Sequence, residues 1–382
     1  MYAPDEEFGQ LPDVPDDGCQ HEAPVLTRPL VFRGRGAVTR PDGRYESQRR
    51  EAFDDGWTED EEDSAAPRTE LLIDTSKTVI SHNDSPDVGF SQSINPYRGC
   101  EHGCVYCFAR PTHSYLGLSA GLDFETKIAH KPDAVAQLKR ELAKPGYRCS
   151  TIALGINTDG WQPIERKLGL TRGLLAVLAE CRHPVTIVTK SALIAERDID
   201  LLADMARDNL VTVAFSITTL DKELARTMEP RAAAPHRRLE AMRMLHEAGV
   251  PVSVLVAPLI PALNDHELEA ICEAAAGAGA HAAGYVLLRL PHELADIFPA
   301  WLQQHYPDRA AHVMSVLRQM HGGQTYRSEF GKRMRGDGVF AQMYSRRMRL
   351  IAERLGLNQR RVELDTTLFT PPRPDTPQMS LF

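Results

Sequence analysis

From residue 90 onward, short runs rich in Val, Ile and Thr alternate with stretches whose apolar positions recur every three or four residues. The runs Phe90–Tyr97, Ser150–Ile156, Val185–Thr189, Val211–Ile217, Val252–Ala257 and Gly284–Leu290 predict six strands. Between them, residues 133–144, 171–181, 198–206, 236–249 and 266–276 carry the helical period, and Gly249 closes the fourth as a C-cap. Strands separated by helices predict a parallel sheet with right-handed crossovers. No G-x-G-x-x-G turn follows a strand, so a dinucleotide-type doubly wound sheet is disfavoured. An open or closed β/α barrel fits better.

In such a barrel, chemistry collects at the carboxyl ends of the strands. Reading those ends in order gives Cys100 to Cys107, then Asn157, Thr158 and Asp159, then T-K-S (189–191) and S-I-T-T (216–219). Asn264, Asp265 and Arg289 complete the rim. One polar residue at a strand end is an ordinary cap or turn; a polar set at one rim of six strands suggests a site.

Outside the periodic region the composition changes. Residues 1–28 are rich in Pro, Asp and Glu, and D-D-G-W-T-E-D-E-E-D (54–63) is a charge run, so residues 1–70 read as a largely disordered acidic arm. V-F-R-G-R-G-A-V-T-R (31–40), mixing Arg, Gly and one Phe, reads as a solvated loop within it, with a nucleic-acid contact as the alternative. Of the net charge of −8, the arm holds 18 Asp and Glu against 8 Lys and Arg; the rest of the chain holds 34 against 36. The folded part is therefore not repelled by an anionic substrate. Residues 71–295 form the expected partial barrel and 296–358 a helical extension. G-K-R-M-R-G (331–336) and S-R-R-M-R (345–349) make its end basic, either as a solvated helix face or as a phosphate-contacting patch. Residues 359–382 are a Pro-rich tail. A 42% apolar fraction supplies a sizeable core. No run approaches the ~20 apolar residues of a membrane span, and M-Y-A-P-D-E-E-F lacks the basic and apolar regions of a secretory signal. A cytoplasmic protein with no membrane contact is expected.

Seven cysteines, three of them bunched, argue for a reducing compartment and against a disulfide framework. Cys149, Cys181 and Cys272 lie in or beside apolar segments and read as core, and Cys19 falls in the arm. The other three stand in Y-R-G-C-E-H-G-C-V-Y-C-F-A-R (97–110), spaced C-x3-C-x2-C. Thiolates select zinc, copper(I) or iron–sulfur clusters. A closed site takes four protein ligands, so Cys100, Cys104 and Cys107 would leave one iron of a [4Fe–4S] cube open. Tyr106 and Phe108 would wall such a cluster, and Gly99 and Gly103 would let the loop wrap it. A Cys3His zinc site, with His102 or His113 as fourth ligand, is the competing arrangement.

The C-x3-C-x-aromatic-C motif after the first strand of a six-strand β/α array resembles the radical S-adenosylmethionine superfamily. That resemblance implies a partial (β/α)6 TIM-like barrel of the radical SAM type, with the disordered acidic N-terminal arm and the helical C-terminal extension appended. It implies an enzyme with two cofactors, a [4Fe–4S] cluster on Cys100, Cys104 and Cys107, and S-adenosyl-L-methionine on the open iron. Reductive cleavage would give a 5′-deoxyadenosyl radical that abstracts hydrogen from substrate, the cofactor carrying the hard chemistry. Asn157, Thr158 and Asp159 are placed where the family binds the methionine amino group, and Lys190 and Ser216 where they would meet its carboxylate or the ribose. An electron donor such as flavodoxin or ferredoxin is implied.

Within the superfamily, residues 90–290 resemble the spore photoproduct lyase-like branch, in particular an uncharacterised bacterial group, through the cysteine segment, N-T-D-G-W-Q-P-I-E and A-P-L-I-P-A-L-N-D. True lyases of that branch repair a thymine dimer in spore DNA and carry a hydrogen-donating cysteine at the end of the second strand. This chain has G-I-N-T-D there, and its nearest cysteine, Cys149, lies at the strand's other end. Fold and cofactor carry over; that substrate does not.

The tail Q-M-S-L-F resembles the pentapeptide by which bacterial DNA-repair and replication proteins dock on the DNA sliding clamp. Met379, Leu381 and Phe382 would fill a pocket and Gln378 supply directional hydrogen bonds, on a Pro-rich tether. The combined expectation is DNA lesion repair or nucleic-acid base modification by radical chemistry. The alternatives are a radical enzyme acting on a peptide, RNA or metabolite, and a non-enzymatic, zinc-stapled nucleic-acid adaptor.

Overall fold

In the computed structural model, which describes residues 34–41, 44–45 and 68–372, the six predicted strands all form and lie side by side. The strands are β1 (Glu70–Ile73), β2 (Ile80–His82), β3 (Gln92–Ile94), β4 (Tyr97–Arg98), β5 (Lys127–His130), β6 (Ile152–Leu154), β7 (Val185–Thr189), β8 (Val211–Ser216), β9 (Val252–Leu259) and β10 (Ala282–Leu287). One sheet has the order β10-β9-β8-β7-β6-β3-β2, parallel throughout except for β2 against β3. A small second sheet runs β1-β5-β4.

The helices are α1 (Asp123–Thr126), α2 (Ala134–Leu142), α3 (Glu165–Leu168), α4 (Leu170–Glu180), α5 (Leu193–Arg207), α6 (Lys222–Met228), α7 (Pro235–Glu247) and α8 (Leu268–Gly277). Beyond the barrel come α9 (Leu294–His305), α10 (Pro307–Met320) and α11 (Gly338–Arg354). Along β7, β8 and β9, Val185, Ile187, Val211, Val213, Phe215, Val252 and Val254 are buried in one core with Leu174, Leu202, Leu245 and Ile271 of the crossover helices. Thr186, Thr212 and Ser253, on the alternate face that a barrel turns inward, are half-buried.

The first strand ends sooner than its apolar run predicts. Pro96 has no N–H for the ladder, so β3 stops at Ile94 and Tyr97–Arg98 crosses to pair with β5. Strand β10 likewise stops at Leu287, after an irregular step in its pairing with β9.

The barrel is open, because β10 and β2 do not meet. The loop between α10 and α11 bridges the gap. Leu287 N–H donates to the Met334 carbonyl (2.8 Å), Gly331 N–H donates to Asp87 Oδ1 (2.7 Å), and Arg333 binds Asp87 and Ser85. After α11 the chain passes beneath the amino ends of the strands. Asn358 N–H donates to His281 O (3.0 Å), Asp365 N–H to Asn209 O (3.0 Å) and Thr370 N–H to Cys181 O (2.8 Å). Phe369 then stacks near Tyr147 and His183.

No described helix is long and apolar enough to cross a membrane. Most of the acidic arm, and Gln378, Met379, Leu381 and Phe382 of the tail, lie outside the described residues.

Candidate functional site

The cysteine loop begins where Pro96 ends the first parallel strand, and its shape depends on glycine. Gly99 (φ +82°) and Gly103 (φ +69°) adopt left-handed backbone. A Cβ at Gly99 would lie 2.9 Å from His113 Cε1, and one at Gly103 would lie 2.8 Å from Glu125 Oε2. Gly36 approaches more closely still, since a Cβ there would stand 1.9 Å from the Gly103 carbonyl oxygen.

Within the loop, Gly103 N–H donates to Cys100 O (3.3 Å) and Cys107 N–H to Cys104 O (3.2 Å), giving two successive tight turns. Cys100 N–H donates to Phe124 O (2.9 Å) and Val105 N–H to Met228 O (3.0 Å). Arg110, fully buried, donates to the carbonyls of Cys104 (2.8 Å), Gly103, Ala120 and Gly121 and pairs with buried Glu125. Glu125 in turn accepts the N–H groups of Gly36 (2.9 Å) and Ala37 (2.8 Å), so residues 36–38, expected in a solvated loop, are instead buried against the cysteine loop. Gln162 accepts from Glu101 N–H (2.8 Å) and donates to Gly99 O (3.3 Å). The loop is thus held from three sides by side chains that fix its carbonyls and amides.

Cys100 and Cys104 are buried and Cys107 half-buried. Burial pushes the Cys104 thiol up to about 12, opposed by the nearby Lys190 charge, and raises Cys100 well above its ordinary value, with Asp159 adding to the rise. Such thiols ionise only against a bound cationic centre, and metal binding releases their protons. Among the described residues, no three His, Cys, Asp or Glu converge on one metal ion. His102 Nδ1 instead lies 3.5 Å from Asp159, and His113 Nε2 engages Lys127 O (2.9 Å). Three thiols spread along a glycine-shaped cradle fit a polynuclear core, in which each binds a different iron. No histidine joins them in a preformed Cys3His set among the described residues.

The other expected residues divide into two groups. Asp159 is saturated by protein. It accepts from Thr189 Oγ1 (2.9 Å), Lys190 N–H (2.7 Å) and Trp161 N–H (2.8 Å), tying the end of β6 to that of β7. Buried Thr158 donates to Tyr97 O (2.8 Å), and buried Ser216 donates to Ala257 O (2.8 Å). Tyr106 is no open wall, because it is buried and its hydroxyl binds Glu229 and Thr218. Asn157, Lys190 and Phe108 remain to meet a ligand. Asn157 is exposed, Lys190 Nζ stands 5.6 Å over the Tyr106 ring, and Phe108 lies 4.2 Å beneath the Arg289 guanidinium.

Several residues that shape the site carry no signal in a single sequence. Under Tyr106, the ion pair Glu229–Arg238 is almost wholly buried. Burial alone would raise Glu229, but the charges of Arg238 and Lys190 outweigh it and hold the carboxyl at about 2. Arg110, Glu125, Gln162, Glu229 and Arg238 belong to no local spacing; tertiary contact alone gives them their roles. Arg289, read as a rim residue, lies beside Cys107, and burial followed by repulsion from Arg333 lowers its pKa.

Comparison with known proteins places this site in context. The model of the radical SAM superfamily matches residues 94–275. An uncharacterized protein of Mycobacterium tuberculosis is 37% identical over 232 residues, 60% of this chain and 68% of that one. An uncharacterized protein of Methanocaldococcus jannaschii is 27% identical over 241 residues, 63% of this chain and 85% of its own length. Among solved structures, spore photoproduct lyase complexed with dinucleoside spore photoproduct shares the fold. Its TM-score is 0.52 over 75% of this chain and 80% of that one, at 18% identity.

Proposed function

Because this chain belongs to the radical SAM superfamily and is an enzyme of that class, we propose that it repairs a DNA lesion or modifies a nucleic-acid base by hydrogen abstraction. What carries the proposal is the loop of three thiols, two buried and one half-buried, at the carboxyl end of the first parallel strand. Cys100, Cys104 and Cys107 would hold a [4Fe–4S] cluster, and S-adenosylmethionine would take the remaining iron. When bound, these cofactors supply a 5′-deoxyadenosyl radical from one delivered electron.

The chain's own residues do the rest. Arg110, Glu125 and Gln162 hold the loop's backbone so that the thiols stay in place. Lys190 presents a cation beside Cys104 for an anionic group of the cofactor, and Asn157 offers a free amide at the rim. The Glu229–Arg238 pair fixes the Tyr106 hydroxyl and keeps that side of the site closed to water. The core 71–295, the basic extension 296–358 and the tail 359–382 would serve chemistry, substrate grip and delivery respectively, with Gln378, Met379, Leu381 and Phe382 docking on the sliding clamp. Flavodoxin or ferredoxin would supply the electron, in the cytoplasm.

Anaerobic reconstitution with iron and sulfide tests the proposal, followed by reductant, S-adenosylmethionine and a panel of damaged DNAs. A brown protein absorbing near 400 nm and 5′-deoxyadenosine release stimulated by one DNA are expected; a colourless, zinc-loaded protein would refute it. A second reading, an enzyme for a peptide, RNA or metabolite, draws on G-I-N-T-D, with Asn157 or Ile156 near the position where the lyases carry their cysteine. Stimulation by such a compound and never by DNA would establish it.

A further inference from the structure

Two clefts adjoin on the outer side of β10. The larger, about 870 Å³, lies between β10, the 331–335 loop and α11. The smaller, about 460 Å³, continues along α11, and the two share Tyr285, Arg335, Ser345 and Arg349. On this edge Ala283 exchanges both backbone bonds with the Asn358 side chain, and Leu287 N–H reaches Met334 O. Tyr285 stands midway, so the two-residue period turns its N–H outward into the cleft. No described residue of the 331–359 segment bonds to it.

With the partners of its acids included, the cleft carries a positive excess, Lys332, Arg333, Arg335, Arg346 and Arg349 against Asp87, Asp337 and Glu353. Arg335 and Arg346 are exposed and make no ion pair among the described residues. Arg349 has only an exposed contact of 3.9 Å with Glu353, which is worth little. On another side of α11, by contrast, Arg347 and Arg354 are neutralised by Glu269 and Glu273. Of the acids on the cleft, Asp87 is held by Arg333 and Gly331 N–H and Asp337 accepts from Gly338 N–H with an exposed Lys332 at 3.6 Å, while Glu353 has only the 3.9 Å contact with Arg349. Nearer the cysteine loop, the Arg289 guanidinium stands 4.2 Å from the Phe108 ring, next to Cys107.

We infer that the β10 cleft binds the phosphodiester backbone of a nucleic acid, with Arg335, Arg346 and Arg349 on phosphates and the Tyr285 amide as a further donor. The inference rests on the nucleic-acid reading of the proposed function and assigns the surface that grips the strand. A basic protein segment is less suited, because the three arginines outnumber the two weakly held carboxylates of the cleft, Asp337 and Glu353.

The test is binding of the full chain to a labelled oligonucleotide between about 50 and 200 mM salt. Arg335→Gln/Arg346→Gln should lower the slope of log affinity against log salt by about 1.4 on a single strand, roughly 0.7 per lost phosphate contact. Affinity at the lower salt should fall about tenfold or more, a loss of at least about 1.4 kcal/mol for the pair. The double Lys variant should restore both, and Arg243→Gln on α7 should change neither. Both targets are exposed, so the melting temperature should hold. If the wild type binds DNA and the Gln pair leaves affinity and slope unchanged, the cleft assignment falls alone. No DNA binding by the wild type would remove the nucleic-acid reading together with it. Equal capture of poly-glutamate, lost in the same variant, would overturn the assignment in favour of an acidic protein segment.

Discussion

Gly36 touches the cysteine loop at a separation that no side chain tolerates, with a notional Cβ 1.9 Å from the Gly103 oxygen. Gly36→Ala should therefore displace the loop, lower the melting temperature by several degrees and cut iron uptake to well under half. Gly89→Ala, where a Cβ meets nothing within 4 Å, should do neither. The buried Glu229–Arg238 pair makes a second prediction. Arg238→Met leaves Glu229 as an uncompensated buried charge, so a loss of about 3–5 kcal/mol is expected in urea titration, partly recovered by adding Glu229→Gln. His183 makes a third. It is buried between the Tyr147 hydroxyl (2.9 Å) and the Pro184 carbonyl (3.0 Å), and burial lowers its pKa to about 4. The fold thus favours neutral imidazole. Its stabilisation is complete above the unfolded value of about 6.5 and is lost as pH falls toward 4, about 3 kcal/mol from this residue. Urea midpoints should drop across that window, and His183→Asn should flatten the slope. At this scale the three cysteines were legible because their spacing is local. Arg110 and Gln162 were not, because nothing in their neighbourhoods marks residues that act on a loop reached through the fold.

The parallel strands announced themselves because each is an apolar run bounded by polar turns, and burial on the helix side enforces that pattern. Their ends were less readable. Pro96 cut β3 short for a reason visible in the sequence, whereas the pairing of Tyr97–Arg98 with β5 depends on a partner thirty residues away. The edge of β10 is finished by a side chain, which no periodicity could reveal. Asn358 presents its amide oxygen to Ala283 N–H (3.0 Å) and its amide nitrogen to Ala283 O (2.9 Å), as a further strand would. Asn358→Ala should cost about 1 kcal/mol and accelerate amide hydrogen exchange at Ala283, with little change on β7.

At the scale of the molecule, the barrel class followed from counting strands and crossovers. The way its opening is closed did not, since the 331–335 loop reaches Asp87 across a sequence distance of more than two hundred residues. The same loop floors the arginine-lined cleft, so loosening it should affect grip before chemistry. Arg333→Ala is expected to weaken oligonucleotide binding while leaving iron content unchanged, read by anisotropy and iron assay on one preparation.

The run from Asn358 to Thr370 beneath the strands has a consequence for handling a long polymer. It brings Thr370 to Cys181 and Phe369 to Tyr147 and His183, at the end of the barrel away from the thiols. A long polymer approaching the thiol end would therefore not meet this run.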